Sequence, residues 1–93
     1  MAAFTTRMVL IDADWDDYQN LHDRMGQQGF SKTITSSDGI VYDLPDAEYN
    51  IVGALTKSDV MERAKNAARG TGKKFQVLVT EAVSRSWWNL DKA

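Results

Sequence analysis

From Phe4 to Ala13 apolar positions dominate, with Val9, Ile11 and Ala13 on one pleat face and Met8, Leu10 and Asp12 on the other. A strand with apolar residues on both faces is expected to be partly covered on each, which marks it as a central strand. The period then changes. Trp15, Tyr18, Leu21, His22 and Met25 recur at three- and four-residue steps, predicting a helix with one apolar stripe that ends around Gly26 and Gly29. Asp14 is placed to cap it, and Asp16 and Asp17 favour the positive end of its dipole.

Alternation returns from Phe30 to Thr35, and Ser37-Asp38-Gly39 is a turn signal that reverses the chain into Ile40-Val41-Tyr42. Leu44-Pro45-Asp46 interrupts that second arm, because proline donates nothing to a ladder, so the arm is expected to bulge or break and resume over Glu48 to Ala54. Thr56 and Asp59 form a capping box with a short acid, and Val60, Met61, Ala64, Ala67 and Ala68 supply the buried stripe of a second helix that Gly70 and Gly72 end. Phe75, Val77, Val79 and Val83 alternate with Gln76, Leu78 and Thr80 in a closing strand. The order β-α-β-β-α-β predicts an α+β, ferredoxin-like fold: an antiparallel four-stranded sheet with two helices packed on one face, formed by residues 1–93 as one domain. That architecture hosts many activities, so function rests on sites.

Ninety-three residues enclose a modest core, and a homodimer is the expected supplement. Eleven Lys and Arg against thirteen Asp and Glu give a formal charge of -2, so no global basic excess draws the chain onto nucleic acid; no DNA partner is expected, and contact with RNA would be local. The chain has no cysteine, which removes disulfides and thiol catalysis and agrees with a cytoplasmic location. No apolar run approaches the ~18 residues that a membrane span needs, so no membrane contact is expected.

Asp12, Asp14, Asp16 and Asp17 gather where the first strand hands over to the first helix, and carboxylates there could share magnesium for phosphate chemistry. Capping and dipole compensation are the simpler account of Asp14, Asp16 and Asp17, whereas Asp12 ends an apolar strand, as a strand-end surface residue or as part of a site. His22, the single histidine, excludes a histidine pair within one subunit but suits a lone acid or base; its place on the helix stripe also fits a packed residue. Arg24 could contact phosphate or simply face solvent. Arg69, Lys73 and Lys74, with Lys57, Arg63 and Lys65, form a local basic band able to hold a phosphate backbone, although alternating charges on an exposed helix read the same way. Adjacent Trp87 and Trp88 either stack on bases or close a core or interface. No Walker loop, zinc motif, nucleophile elbow or dinucleotide fingerprint is present.

Gly29-Phe30-Ser31, Ser37-Asp38-Gly39-Ile40, Ala47-Glu48-Tyr49-Asn50-Ile51 within Leu44 to Leu55, and Lys74-Phe75-Gln76-Val77-Leu78-Val79-Thr80 together resemble the GhoS family of type V antitoxins. The resemblance covers nearly the whole chain in element order and scattered positions. It implies a ferredoxin-like fold close to that of a small CRISPR-associated nuclease family, a dimer, and an endoribonuclease that cleaves the messenger RNA of a small membrane toxin. On this resemblance Asp12 or Asp14 is the acid at the end of the first strand, and Tyr49 matches an aromatic of the family's third strand that would stack a base. The family carries arginine on its first helix; near that register this chain has His22, with Arg24 two positions on, about 200° around the helix at ~100° per residue.

The implied chemistry uses Asp12 as base or metal ligand, His22 or Arg24 to stabilise charge on the phosphorane-like transition state, and Tyr49 to set base preference. The competing class is a non-catalytic dimeric module that binds RNA or a protein partner; a small-molecule sensing domain of the same fold is a third, for which no ligand-specific residues are visible.

Overall fold

The computed structural model describes residues 1–93. Strand β1 (Ala2–Leu10) leads to helix α1 (Trp15–Gln27), short strands β2 (Thr33–Thr35) and β3 (Val41–Asp43), strand β4 (Glu48–Gly53), helix α2 (Lys57–Arg69) and strand β5 (Phe75–Ala82). The architecture is α+β, with two helices and antiparallel sheets. Both helices begin with a full capping box, Asp14 with Asp17 and Thr56 with Asp59, each pair satisfying two backbone N–H groups that a helix start would leave free.

As its two-sided apolar pattern predicts, β1 is the middle strand, in the order β4-β1-β5. Its register pairs Thr6 with Tyr49 on one side and with Val79 on the other. Phe4, Thr6, Met8 and Leu10 therefore share one face with Tyr49 and Ile51. Leu21 and Met25 from α1 and Val60, Ala64, Ala67 and Ala68 from α2 close over that face. The alanines on α2 keep side chains short where α2 meets α1 and the sheet. Three of the apolar positions expected on the α1 stripe behave differently from Leu21 and Met25: Tyr18 and His22 are half-buried, and Trp15 is 74% exposed.

The expected four-stranded sheet is not what forms. The main sheet has three strands, and β2 and β3 make a separate two-stranded ribbon. What remains of a fourth strand is one bridge, in which the Ser31 and Asn50 N–H groups donate to each other's carbonyls, both at 2.8 Å. Beyond Ser31 the Lys32 ammonium donates to the carbonyls of Pro45 and Glu48 at 3.0 and 2.9 Å, closing the Leu44–Glu48 segment against the sheet edge. Pro45 has no N–H to extend either ladder, so the break expected there becomes a change of sheet.

The closing segment extends the ribbon. Tyr42 bridges to Lys92, Asp43 N–H donates to Asp91 O at 2.8 Å, and Ala93 N–H donates to Val41 O at 3.0 Å. Trp87 packs edge-on to Tyr42 with ring centroids 5.6 Å apart, whereas the adjacent Trp88 is 90% exposed. The tail thus lies on the sheet face opposite the helices, where Arg85 reaches Thr5 and Asn50. No helix is long and apolar enough to cross a membrane.

Candidate functional site

The register that sets Tyr49 opposite Thr6 directs its ring into the space under α1, where it is 1% exposed. Phe30 meets the ring edge-on at 6.3 Å, and the Lys32 ammonium stands 4.8 Å from its centroid. His22, one turn before the end of α1's buried stripe, brings Nδ1 into hydrogen-bond contact with the Tyr49 hydroxyl. Burial pushes the Tyr49 phenol well above its ordinary value, with the Tyr18 charge adding to the effect, so it keeps its proton. Burial, and then the Lys32 ammonium, push His22 below its ordinary 6.5, against the opposing pull of Asp46 and Asp23. A protonated phenol and a neutral imidazole fix the direction of the bond: the phenol O–H donates to Nδ1, and the ring proton sits on Nε2.

His22 lines a cleft of about 210 Å³ with Trp15, Tyr18, Asp46 and Ala47. Tyr18 is fixed at its base by Leu10, whose N–H donates to the Tyr18 hydroxyl at 3.1 Å while the hydroxyl donates to Leu10 O at 3.2 Å. Ala47 holds a left-handed backbone, φ 70°, and its carbonyl accepts from Met8 N–H at 2.8 Å. The cleft therefore combines an exposed indole, an imidazole N–H donor and a carboxylate, with the Lys32 charge acting on the imidazole from outside the cleft. Such a set can stack a flat ring, donate to an oxyanion and accept a proton.

The other sequence candidates lie elsewhere. Asp12 is exposed, with φ 53°, and its carbonyl accepts from the Lys73 ammonium at 3.1 Å. Asp14 Oδ1 accepts from Asp17 N–H at 2.9 Å as the helix cap. Lys73 also pairs with Asp17 at 3.6 Å, and this charge, after the Asp14 cap bond, helps hold the Asp17 carboxyl below its usual range. At the β1–α1 junction the Asp14 and Asp17 carboxylates serve the helix cap and the Lys73 ammonium, Asp12 offers only its backbone carbonyl to Lys73, and no three acidic or histidine side chains converge as a metal site.

Arg24 turns away from His22, as its two-residue offset requires. Its Nε donates to Asn20 Oδ1 at 3.0 Å, and its guanidinium lies so close over Gly70 that a Cβ there would collide with it. Arg69 donates to Asn66 Oδ1 at 3.0 Å on the far helix, and Lys74 is exposed. Of the residues singled out from sequence, the fold brings His22 and Tyr49 together beside the cleft, and Asp12, Asp17 and Lys73 at the β1–α1 junction. Tyr49 has no ring face free for a base, which leaves stacking to Trp15. Lys32 and Asp46 were not anticipated; Asp46 carried a signal only as the residue after the proline that breaks the arm.

No family model matches this chain, and no curated protein matches its sequence.

Proposed function

We propose that this domain is an RNA-cleaving antitoxin of the GhoS kind, built on a ferredoxin-like plan whose edge strand has shrunk to the Ser31–Asn50 bridge. The observation that carries the reading is the neutral His22 imidazole, anchored through Nδ1 by buried Tyr49, in one cleft with Asp46 and exposed Trp15. A single-stranded base stacks on Trp15, and its 2′-hydroxyl gives its proton to the Asp46 carboxylate as O2′ attacks phosphorus. His22 Nε2–H donates to the phosphoryl oxygen as negative charge builds there. The bond to the 5′ oxygen breaks, that oxygen takes a proton from water, and the products carry a cyclic phosphate and a 5′-hydroxyl. With RNA as substrate the protein works in the cytoplasm, and as a homodimer it presents two clefts.

A second reading has its own support. Arg24, Arg69 and Lys74 do not converge on the cleft, and Lys73 is held by Asp12 and Asp17, so the cleft lacks the cationic clamp usual in phosphoryl transfer. This favours a non-catalytic dimeric module that binds RNA or a protein partner.

Incubation of the protein with pooled cellular RNA, with magnesium and separately with chelator, distinguishes the two once new ends are sequenced and their chemistry determined. The cleavage reading expects recurrent 5′-hydroxyl ends in both conditions, reduced about 100-fold in Asp46→Asn, within the range for a lost general base. Ends that require magnesium and vanish in Asp12→Ala would move the chemistry to the β1–α1 junction. No new ends from folded protein would leave the binding module.

A further inference from the structure

Arg85 follows β5 onto the sheet face that the helices leave open. Its Nη1 donates to Thr5 Oγ1 at 3.2 Å and to Asn50 Oδ1 at 2.8 Å. A guanidinium has five N–H donors, so three are left over. No carboxylate pairs with it: the ion pairs of this molecule are Lys65 with Glu62 and Lys73 with Asp17. Partial burial also pushes the guanidinium below its ordinary value, a sign that its charge lacks compensation.

Beside Arg85 lies a cavity of about 390 Å³ in which Arg85 is the single charged lining residue. Thr35, Ser37, Ser84 and Ser86 line it with hydroxyls that no other group of the chain engages, whereas the Ser36 hydroxyl is held by Asp38 and Ile40. One fixed cation and several free O–H donors, with no acid among them, make a site for an oxyanion. Arg85 also lines an adjoining groove with Leu44, Pro45, Trp88 and one acid, Glu48, which leads towards the segment whose next residues, Asp46 and Ala47, wall the His22 cleft. Trp88 stands beside that path almost wholly exposed.

We propose that Arg85 and its hydroxyl-lined cavity bind a phosphodiester of single-stranded RNA, so that a strand whose base sits in the His22 cleft crosses Pro45 and is held again on the opposite sheet face. This rests on RNA being the ligand, but not on the chain cutting it.

The test is binding of a 2′-O-methyl oligoribonucleotide, which cannot be cleaved through its 2′ oxygen, titrated over a range of salt. Arg85→Gln is expected to raise Kd about tenfold and to lower the slope of log affinity against log salt by about 0.7, the contribution of one phosphate contact on a single strand. Ser84→Asp, which adds a carboxylate without touching Thr5 or Asn50, is expected to do the same, so the test survives if Arg85→Gln loosens the tail. Equal affinity and slope for wild type and both variants overturn the proposal. So does binding of inorganic phosphate or a nucleoside monophosphate without the oligonucleotide. Arg85-dependent binding without cleavage of ordinary RNA removes the catalytic reading alone, and cleavage with Arg85-independent binding removes this inference alone.

Discussion

The Tyr49 hydroxyl donates to His22 Nδ1, so a side chain that is part of the sheet's core also sets the tautomer of the one imidazole at the surface cleft. Tyr49→Phe keeps the packing but removes the donor. It is expected to cost about 1 kcal/mol of stability, the usual worth of one hydrogen bond, and to release the imidazole proton from Nε2. Chemical denaturation reads the first effect, and nitrogen shifts of the imidazole in NMR read the second; an unchanged tautomer would show that Tyr49 does not set it.

Stability should depend on pH through His22. The unfolded chain takes up the histidine proton near 6.5, whereas burial and Lys32 hold the folded group lower. The unfolded state therefore binds more protons between those two values, and stability rises with pH there. This contribution is fully present above 6.5, falls as pH drops through the window below it, and levels off once the folded imidazole is charged. Urea midpoints measured across this range should show the slope in wild type and its loss in His22→Gln.

Thr6 is fully buried, and its hydroxyl has no hydrogen-bond partner. Thr6→Val removes that orphan at almost constant volume in a strand that favours β-branching. A gain of up to about 1 kcal/mol is expected, because the desolvation cost of the unpaired hydroxyl disappears. A clear loss of thermal stability would show that Oγ1 has a partner in solution.

Ala47 sits at φ 70° in the wall of the His22 cleft. A Cβ in the left-handed region costs roughly 1–2 kcal/mol, so Ala47→Gly should stabilise by about 1 kcal/mol after the added entropy of the unfolded glycine. The melting temperature checks it.

Leu78 is 62% exposed on the open sheet face, across from Arg7 of β1, and its strand forms an outer edge of the sheet. If two copies meet through this face, Leu78→Glu should shift the species to monomer in sedimentation while leaving the unfolding free energy of the monomer within about 0.5 kcal/mol, as for a surface change. A wild type already monomeric at high concentration would remove the dimer.

Both helices and the central place of β1 were legible in the sequence because their causes are local: Asp14 with Asp17 and Thr56 with Asp59 cap within one turn, and the long apolar run of β1 marks it as the strand flanked on both edges. The irregular middle was legible at Pro45 for the same reason. The parting of the ribbon from the sheet was not, because it depends on which distant carbonyls the Lys32 ammonium reaches. The site divides in the same way. His22 and Tyr49 each stood out as residue types, but their contact spans 27 positions and follows from the register of β4 on β1. Asp46 and Arg85 were ordinary charges until the fold gave one a cleft and the other an uncompensated place on the open face.

The central position of β1 also has a kinetic consequence. Phe4 pairs with Ile51 and with Glu81, so neither ladder of the main sheet can zip outward from a tight turn. Each requires the closure of a long loop before any contact rewards it, which places the molecule among chains of high contact order. The capped helices and the Ser37-Asp38-Gly39 hairpin can form within their own segments, whereas the sheet that carries Tyr49 assembles late, and the geometry around His22 is completed with it.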